Sequence, residues 1–150
     1  LGYGDYGFAN ILSKKAKLHP TDLHLVGIRS FEKEEKKLLE ETNANIYYAE
    51  DVLKKGFINT LEDICSSVTK STKNFGISLD LDAFDPQFAP GVSTPARAGL
   101  DPKNLYMFLK KIKTIYKQQF IGMEIVEYNP CNDKDNQTLN IIESILESIT

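Results

Sequence analysis

Two carboxylates one residue apart, Asp80 and Asp82, stand in the run Ser78-Leu79-Asp80-Leu81-Asp82-Ala83-Phe84-Asp85-Pro86. The run continues through Ala89-Pro90-Gly91-Val92-Ser93 to Thr94-Pro95. Polar and apolar residues alternate over 75–82, which predicts a strand. On it Phe75, Ile77, Leu79 and Leu81 face one way, and Gly76, Ser78, Asp80 and Asp82 the other. The two carboxylates then share a face, with Cα atoms roughly 6.6 Å apart at ~3.3 Å per residue. They fall where the strand gives way to a Pro/Gly-rich loop, the carboxyl edge at which open α/β sheets bind ligands. Acids at a buried strand end repel one another and lose hydration, so a proton, a basic side chain or a cation must offset the cost. Carboxylate oxygens are hard ligands suited to magnesium, manganese or calcium. Helix capping, or pairing with Arg29 or Arg97, accounts for the same two residues equally well. A second segment, Gly122-Met123-Glu124-Ile125-Val126-Glu127-Tyr128-Asn129-Pro130, also ends a strand on an acid. Glu127 is there either a surface acid or a carboxylate aimed into the same cleft, able to grip a guanidinium through two parallel hydrogen bonds.

The elements that must position these groups read as βα units, with short apolar runs alternating with amphipathic stretches. This predicts an α/β fold, a mainly parallel sheet flanked by helices. Strands are expected over 23–28, 46–48, 75–82 and 120–127. Helices are expected over 31–41 and 49–55, the latter stopped by Gly56. A third carries the stripe Phe57, Ile58, Leu61, Ile64, Cys65 and Val68. A fourth opens with Asp101 as N-cap and Pro102 at the first helical position, burying Leu105, Phe108, Leu109, Ile112, Ile115 and Tyr116. The last places Leu139, Ile142, Leu146 and Ile149 at helical spacing. Cys65 reads as a packed core thiol. His24, inside a strand and with no partner ligand at metal spacing, reads as a hydrogen-bonded core residue.

The 150 residues, 41% hydrophobic and 26% charged, fit one globular domain and exclude intrinsic disorder. A net charge of −3 does not favour phosphate backbones, so no nucleic-acid partner is expected. No apolar run reaches the ~20 residues that span a bilayer, so no membrane partner is expected, and the protein reads as cytoplasmic. The two cysteines show no CxxC spacing, which excludes a disulfide framework and a zinc ribbon.

Residues 78–95 resemble the long Asp-rich signature of the ureohydrolase (arginase/agmatinase) family: Ser-x-Asp-x-Asp-x-x-Asp-Pro, then Ala-Pro-Gly and Thr-Pro. Glu127-Tyr128-Asn129-Pro130 resembles that family's late Glu-x-Asn-Pro element, and Val26-Gly27-Ile28-Arg29 the strand before its acid-rich helix. The resemblance implies part of the three-layer α/β/α ureohydrolase fold. It implies a binuclear manganese site in the complete protein, with Asp80 touching both ions and Asp82 one. It also implies that Glu127 orients a guanidino substrate, and that Thr94 makes a polar contact over the cleft. The reaction implied is hydrolysis of a guanidino C–N bond, arginine giving urea and ornithine, in a homo-oligomer (trimer or hexamer). Agmatinase, guanidinobutyrase and formimidoylglutamase belong to the same family, and the segment Thr94-Pro95-Ala96-Arg97-Ala98-Gly99-Leu100 lacks the Gly-Gly pair common in arginases. The Gly-Gly-Asp-His and Asp-Ala-His-x-Asp signatures are absent, and the sequence opens Leu1-Gly2-Tyr3-Gly4-Asp5 without Met. Residues 1–150 therefore read as the C-terminal portion of one ureohydrolase domain, with negligible activity alone. The rival reading is a non-catalytic binding or assembly chain with the same fold.

Overall fold

The computed structural model describes residues 5–11 and 15–150, so the opening Leu1-Gly2-Tyr3-Gly4 lies outside the described residues. Four strands form where the sequence places them. β1 (His24–Ile28) pairs in parallel with β2 (Asn45–Tyr48), and β3 (Phe75–Asp80) in parallel with β4 (Phe120–Val126). The expected parallel pairing is present as two two-stranded ladders. Gly27 has a positive φ of 82°, and it coincides with a register shift in β1 between Val26 and Ile28. A Cβ at Gly27 would lie 3.1 Å from the Leu100 side chain. Leu100 is itself engaged in an isolated parallel bridge with Phe84, beyond the end of β3.

Helices flank the strands: α1 (Tyr6–Ala9), α2 (Lys33–Thr42), α3 (Ala49–Lys55), α4 (Phe57–Ser71), α5 (Pro102–Ile115) and α6 (Gln137–Ile149). Among the described residues no helix is long and apolar enough to cross a membrane. Gly56, at φ 93°, ends α3 and starts α4, a backbone conformation that glycine adopts without Cβ strain. The α5 start is as read: Asp101 accepts the Lys103 N–H at 2.9 Å, and Pro102 occupies the first turn.

The core gathers Leu79 and Leu81 from the β3 end, Phe84, Cys65 from α4, Leu105, Phe108, Leu109 and Ile112 from α5, and Ile141 and Ile145 from α6. Each fully buried Leu, Ile or Phe contributes about 1.5–3 kcal/mol relative to an exposed one. Burial pushes the Cys65 thiol up to about 11, consistent with a packed, inert sulfur. Two expected faces are corrected. Ile115 is 62% exposed at the α5 terminus, and on α6 Leu146 is 47% exposed. The α6 residues buried are Thr138, Ile141, Ile145 and Ser148. Apolar residues fill two adjacent stripes of α6, and Thr138, whose hydroxyl accepts a buried bond from Gly91 N–H, lies on the one that turns inward. His24 is half-buried rather than core. Its ring stacks on Tyr47 and meets the Tyr47 hydroxyl at 3.2 Å, while burial lowers its pKa against the raising charge of Asp22.

Candidate functional site

The apolar alternation carries β3 only to Asp80; there the chain coils into a 3-10 turn, Leu81–Ala83. Asp82 therefore does not share a strand face with Asp80, which corrects the extended geometry. The turn forms because Leu81 is drawn wholly into the core, at 0% exposed, while Asp80 Oδ1 accepts the Asp82 N–H at 3.0 Å. The two acids stay neighbours, joined through this turn. The Thr94 hydroxyl donates to Asp82 Oδ2 at 3.3 Å, so the loop residue reaches the pair. Glu127 follows directly on β4 and adopts a left-handed backbone, φ 65°, costly for a residue with a Cβ.

The electrostatics tie the three acids into one neighbourhood. Burial raises the Asp80 carboxyl above the ordinary range, and the charges of Asp82 and Glu127 raise it further, against the lowering hydrogen bond from the Asp82 amide. The alternative of pairing with arginine is not what the structure holds. The Arg29 guanidinium donates to main-chain carbonyls instead, those of Asp82, Phe84, Ala96 and Arg97. Among the described residues no Lys, Arg or His forms an ion pair with Asp80, Asp82 or Glu127. The capping alternative is realised in part, since Asp80 caps the short turn. Among the described residues no three His, Cys, Asp or Glu side chains are grouped to hold a metal ion. The donor set fits a metal as an incomplete share: two adjacent hard carboxylates, touched by a neutral amide and a neutral hydroxyl.

Sequence reasoning missed the groups that fix the loop over this edge. Gly91 is held at both ends of its peptide. Its N–H donates to the Thr138 hydroxyl at 2.7 Å, and its carbonyl accepts the Asn129 N–H at 2.8 Å. The Asn132 side chain donates to the Val92 carbonyl at 2.8 Å, and that of Asn129 to the Ser93 hydroxyl at 3.3 Å. Asp133 then collects the amides of Thr138 and Leu139 at 2.9 and 3.0 Å, together with the Tyr128 hydroxyl at 3.1 Å. The segment after Glu127 and the loop before Thr94 are thereby one latched unit. The run Asn129-Pro130-Cys131-Asn132-Asp133 carried the signal, as Asn and Asp beside Pro favour such side-chain turns.

The sequence profile of the arginase family matches residues 7–150. The chain belongs to the arginase family. The Bacillus caldovelox arginase is 30% identical over 149 residues, covering 99% of this chain and 49% of that protein. Its solved structure superposes with a TM-score of 0.92. The Plasmodium berghei arginase is 34% identical over 131 residues, covering 85% of this chain and 36% of its own length. The formimidoylglutamase structure from Bacillus subtilis matches with a TM-score of 0.76 at 28% identity, covering 83% of this chain and 39% of that one. This arginase-family chain spans about half the length, or less, of the curated relatives it matches. Its parallel strand pairs and flanking helices are the arginase-like ureohydrolase fold.

Proposed function

We propose that this chain is the C-terminal portion of an arginase-family hydrolase domain that cleaves the guanidino C–N bond of arginine. Asp80 and Asp82 hold manganese, and Glu127 binds the guanidinium. The observation that carries the reading is that Asp80, Asp82 and Glu127 lie at the C-terminal ends of the paired strands β3 and β4, with no Lys, Arg or His ion-paired to them among the described residues. Apart from the contact between the two carboxyls, the groups bonded to the aspartates are neutral, the Asp82 amide and the Thr94 hydroxyl. When bound, manganese supplies the Lewis acidity that water needs to attack a guanidinium carbon near neutral pH. The chain's own residues do the rest. Glu127, on a backbone set off from β4, offers two oxygens to two guanidinium N–H groups. Thr94 restrains Asp82 and places its hydroxyl at the same edge. The substrate is a small guanidino molecule, and arginine is the member that the arginase relatives favour.

Titration of manganese into the chain beside its Asp80→Asn variant tests this. Weak, saturable binding that the variant loses is expected; binding indifferent to the substitution refutes the site. Urea release from arginine by the 150-residue chain is expected to be negligible, because its described residues supply no three-ligand group.

A further inference from the structure

Between Ser93 and Ala98 no main-chain hydrogen bond to another main-chain group is made among the described residues. The chain is latched before this stretch, at Gly91 and Val92, and again after it, where the Leu100 N–H donates to the Ala83 carbonyl at 2.9 Å. What enters the gap is a side chain from a distant part of the sequence. Arg29, directly after β1, places Nη2 against the carbonyls of Asp82, of Phe84 at 3.3 Å and of Ala96 at 2.9 Å. Its Nε donates to the Arg97 carbonyl at 3.3 Å. One guanidinium therefore grips the turn that carries Asp82 and the loop that carries Thr94. The Thr94–Asp82 hydrogen bond, 3.3 Å long, closes the same circuit through the side chains. Guanidinium geometry suits this task. It is planar, always charged and rich in donors, so it spans several carbonyls that one ammonium point cannot.

We propose that Arg29 is a positioning residue for the carboxylate edge: by clamping the carbonyls of Asp82 and of the 96–97 loop, it fixes Asp82 for cation binding. It touches neither substrate nor ion. The inference rests on the reading of Asp80 and Asp82 as cation ligands, and its test separates the two.

The probe is terbium(III), a hard oxygen-seeking cation whose emission is excited through tyrosine. The chain has seven tyrosines and no tryptophan to compete. Titration gives affinity, and emission lifetimes in H2O and D2O count the waters left on the ion. Groups that orient metal ligands typically carry ten- to hundredfold in affinity. Arg29→Met is expected to weaken terbium about tenfold and to add bound water as Asp82 leaves the ion. Arg29→Lys keeps a donor near the Nη2 position but loses the contact to Arg97, so an intermediate loss of roughly two- to threefold is expected. A purely structural role would lower the melting temperature without changing the water count. Should Arg29→Met fail to fold, Arg29→Lys decides alone, and unchanged affinity there overturns the proposal. Loss of terbium in Asp80→Asn, with affinity and water count unchanged in the Arg29 variants, overturns the role of Arg29 and leaves the site standing. Absence of saturable binding in the unaltered chain, or indifference to Asp80→Asn, overturns the site and the clamp together.

Discussion

Thr138→Val removes one oxygen from the interior and keeps the side-chain shape. Thr138 is 0% exposed at the first turn of α6. Its hydroxyl accepts the Gly91 N–H at 2.7 Å and also hydrogen-bonds the Asp133 carboxylate. Valine leaves the buried Gly91 N–H without an acceptor, which costs about 1–3 kcal/mol. Water cannot step in cheaply: a Cβ on Gly91 would lie 2.7 Å from Asp133 Cβ, so the pocket has no spare volume. Adding the lost bond to Asp133, a total near 2–3 kcal/mol is expected. For a chain of this size that lowers Tm by roughly 5–10 °C. The assay is urea unfolding with Thr138→Ser alongside. Serine keeps the hydroxyl and loses only a methyl, about 1 kcal/mol. The midpoint should fall with the m-value unchanged, and amide exchange should quicken at Gly91 and Asn129 before the core opens. A Thr138→Val variant within about 0.5 kcal/mol of the parent, or a serine variant just as unstable, refutes the latch.

Asp80→Asn keeps an oxygen for the Asp82 amide and removes a charge that burial, Asp82 and Glu127 all disfavour. In chelator it should raise stability slightly, by about 0.5 kcal/mol after solvent screening, and a fall in Tm at pH 7 would contradict the repulsion. Glu127→Gly relieves the φ 65° backbone, and after the entropy glycine loses on folding a net gain of about 0.5 kcal/mol is expected; a loss above about 1 kcal/mol, read by urea unfolding, counts against strain there. Cys131 is exposed and Cys65 buried, so a thiol reagent at pH 8 should modify one sulfur at once and the other only on unfolding. Because the Cys65 pKa is raised to about 11 in the fold, its contribution to stability is intact below the unfolded thiol pKa of about 8.5. That contribution is lost as pH climbs through the folded value, so Tm of a Cys65→Ala variant should fall less than the parent's across that window.

Local signals were legible where they act alone. Gly56 stops α3 and Asp101-Pro102 opens α5 because a positive φ or a missing N–H decides the backbone without help from distant chain. The Asp80–Asp82 pair was legible as a chemical pair but not as a shape. Alternation continues past Asp80, yet Leu81 sinks into the core and coils the chain, and that pull comes from α4, α5 and α6 rather than from the motif. The α6 face was misread for a similar reason. Ile141, Ile142, Ile145 and Leu146 offer two stripes of equal appeal, and the buried one is that of Thr138, which long-range bonds to Gly91 and Asp133 hold. Arg29 was legible as a charge near acids, which suggested ion pairing; that its donors go to carbonyls depends on where the 96–97 loop folds.

That choice of acceptors matters to the electrostatics. Had Arg29 paired with Asp80 or Asp82, it would have stabilised the fold and neutralised the charge a cationic ligand needs. Its charge falls instead on Asp85, which the Gln87, Gly99 and Ala98 amides and the guanidinium together hold below the ordinary carboxylate range. Asp85 in turn accepts the Gly99 N–H at 3.2 Å, where a Cβ would collide with the Phe84 and Asp85 backbone. One arginine thus fixes the scaffold through carbonyls and a structural acid, while neutral donors hold the Asp80–Asp82 pair. The repulsion left among Asp80, Asp82 and Glu127 lies next to the buried core that holds Leu79 and Leu81, and a bound cation would convert that repulsion into affinity.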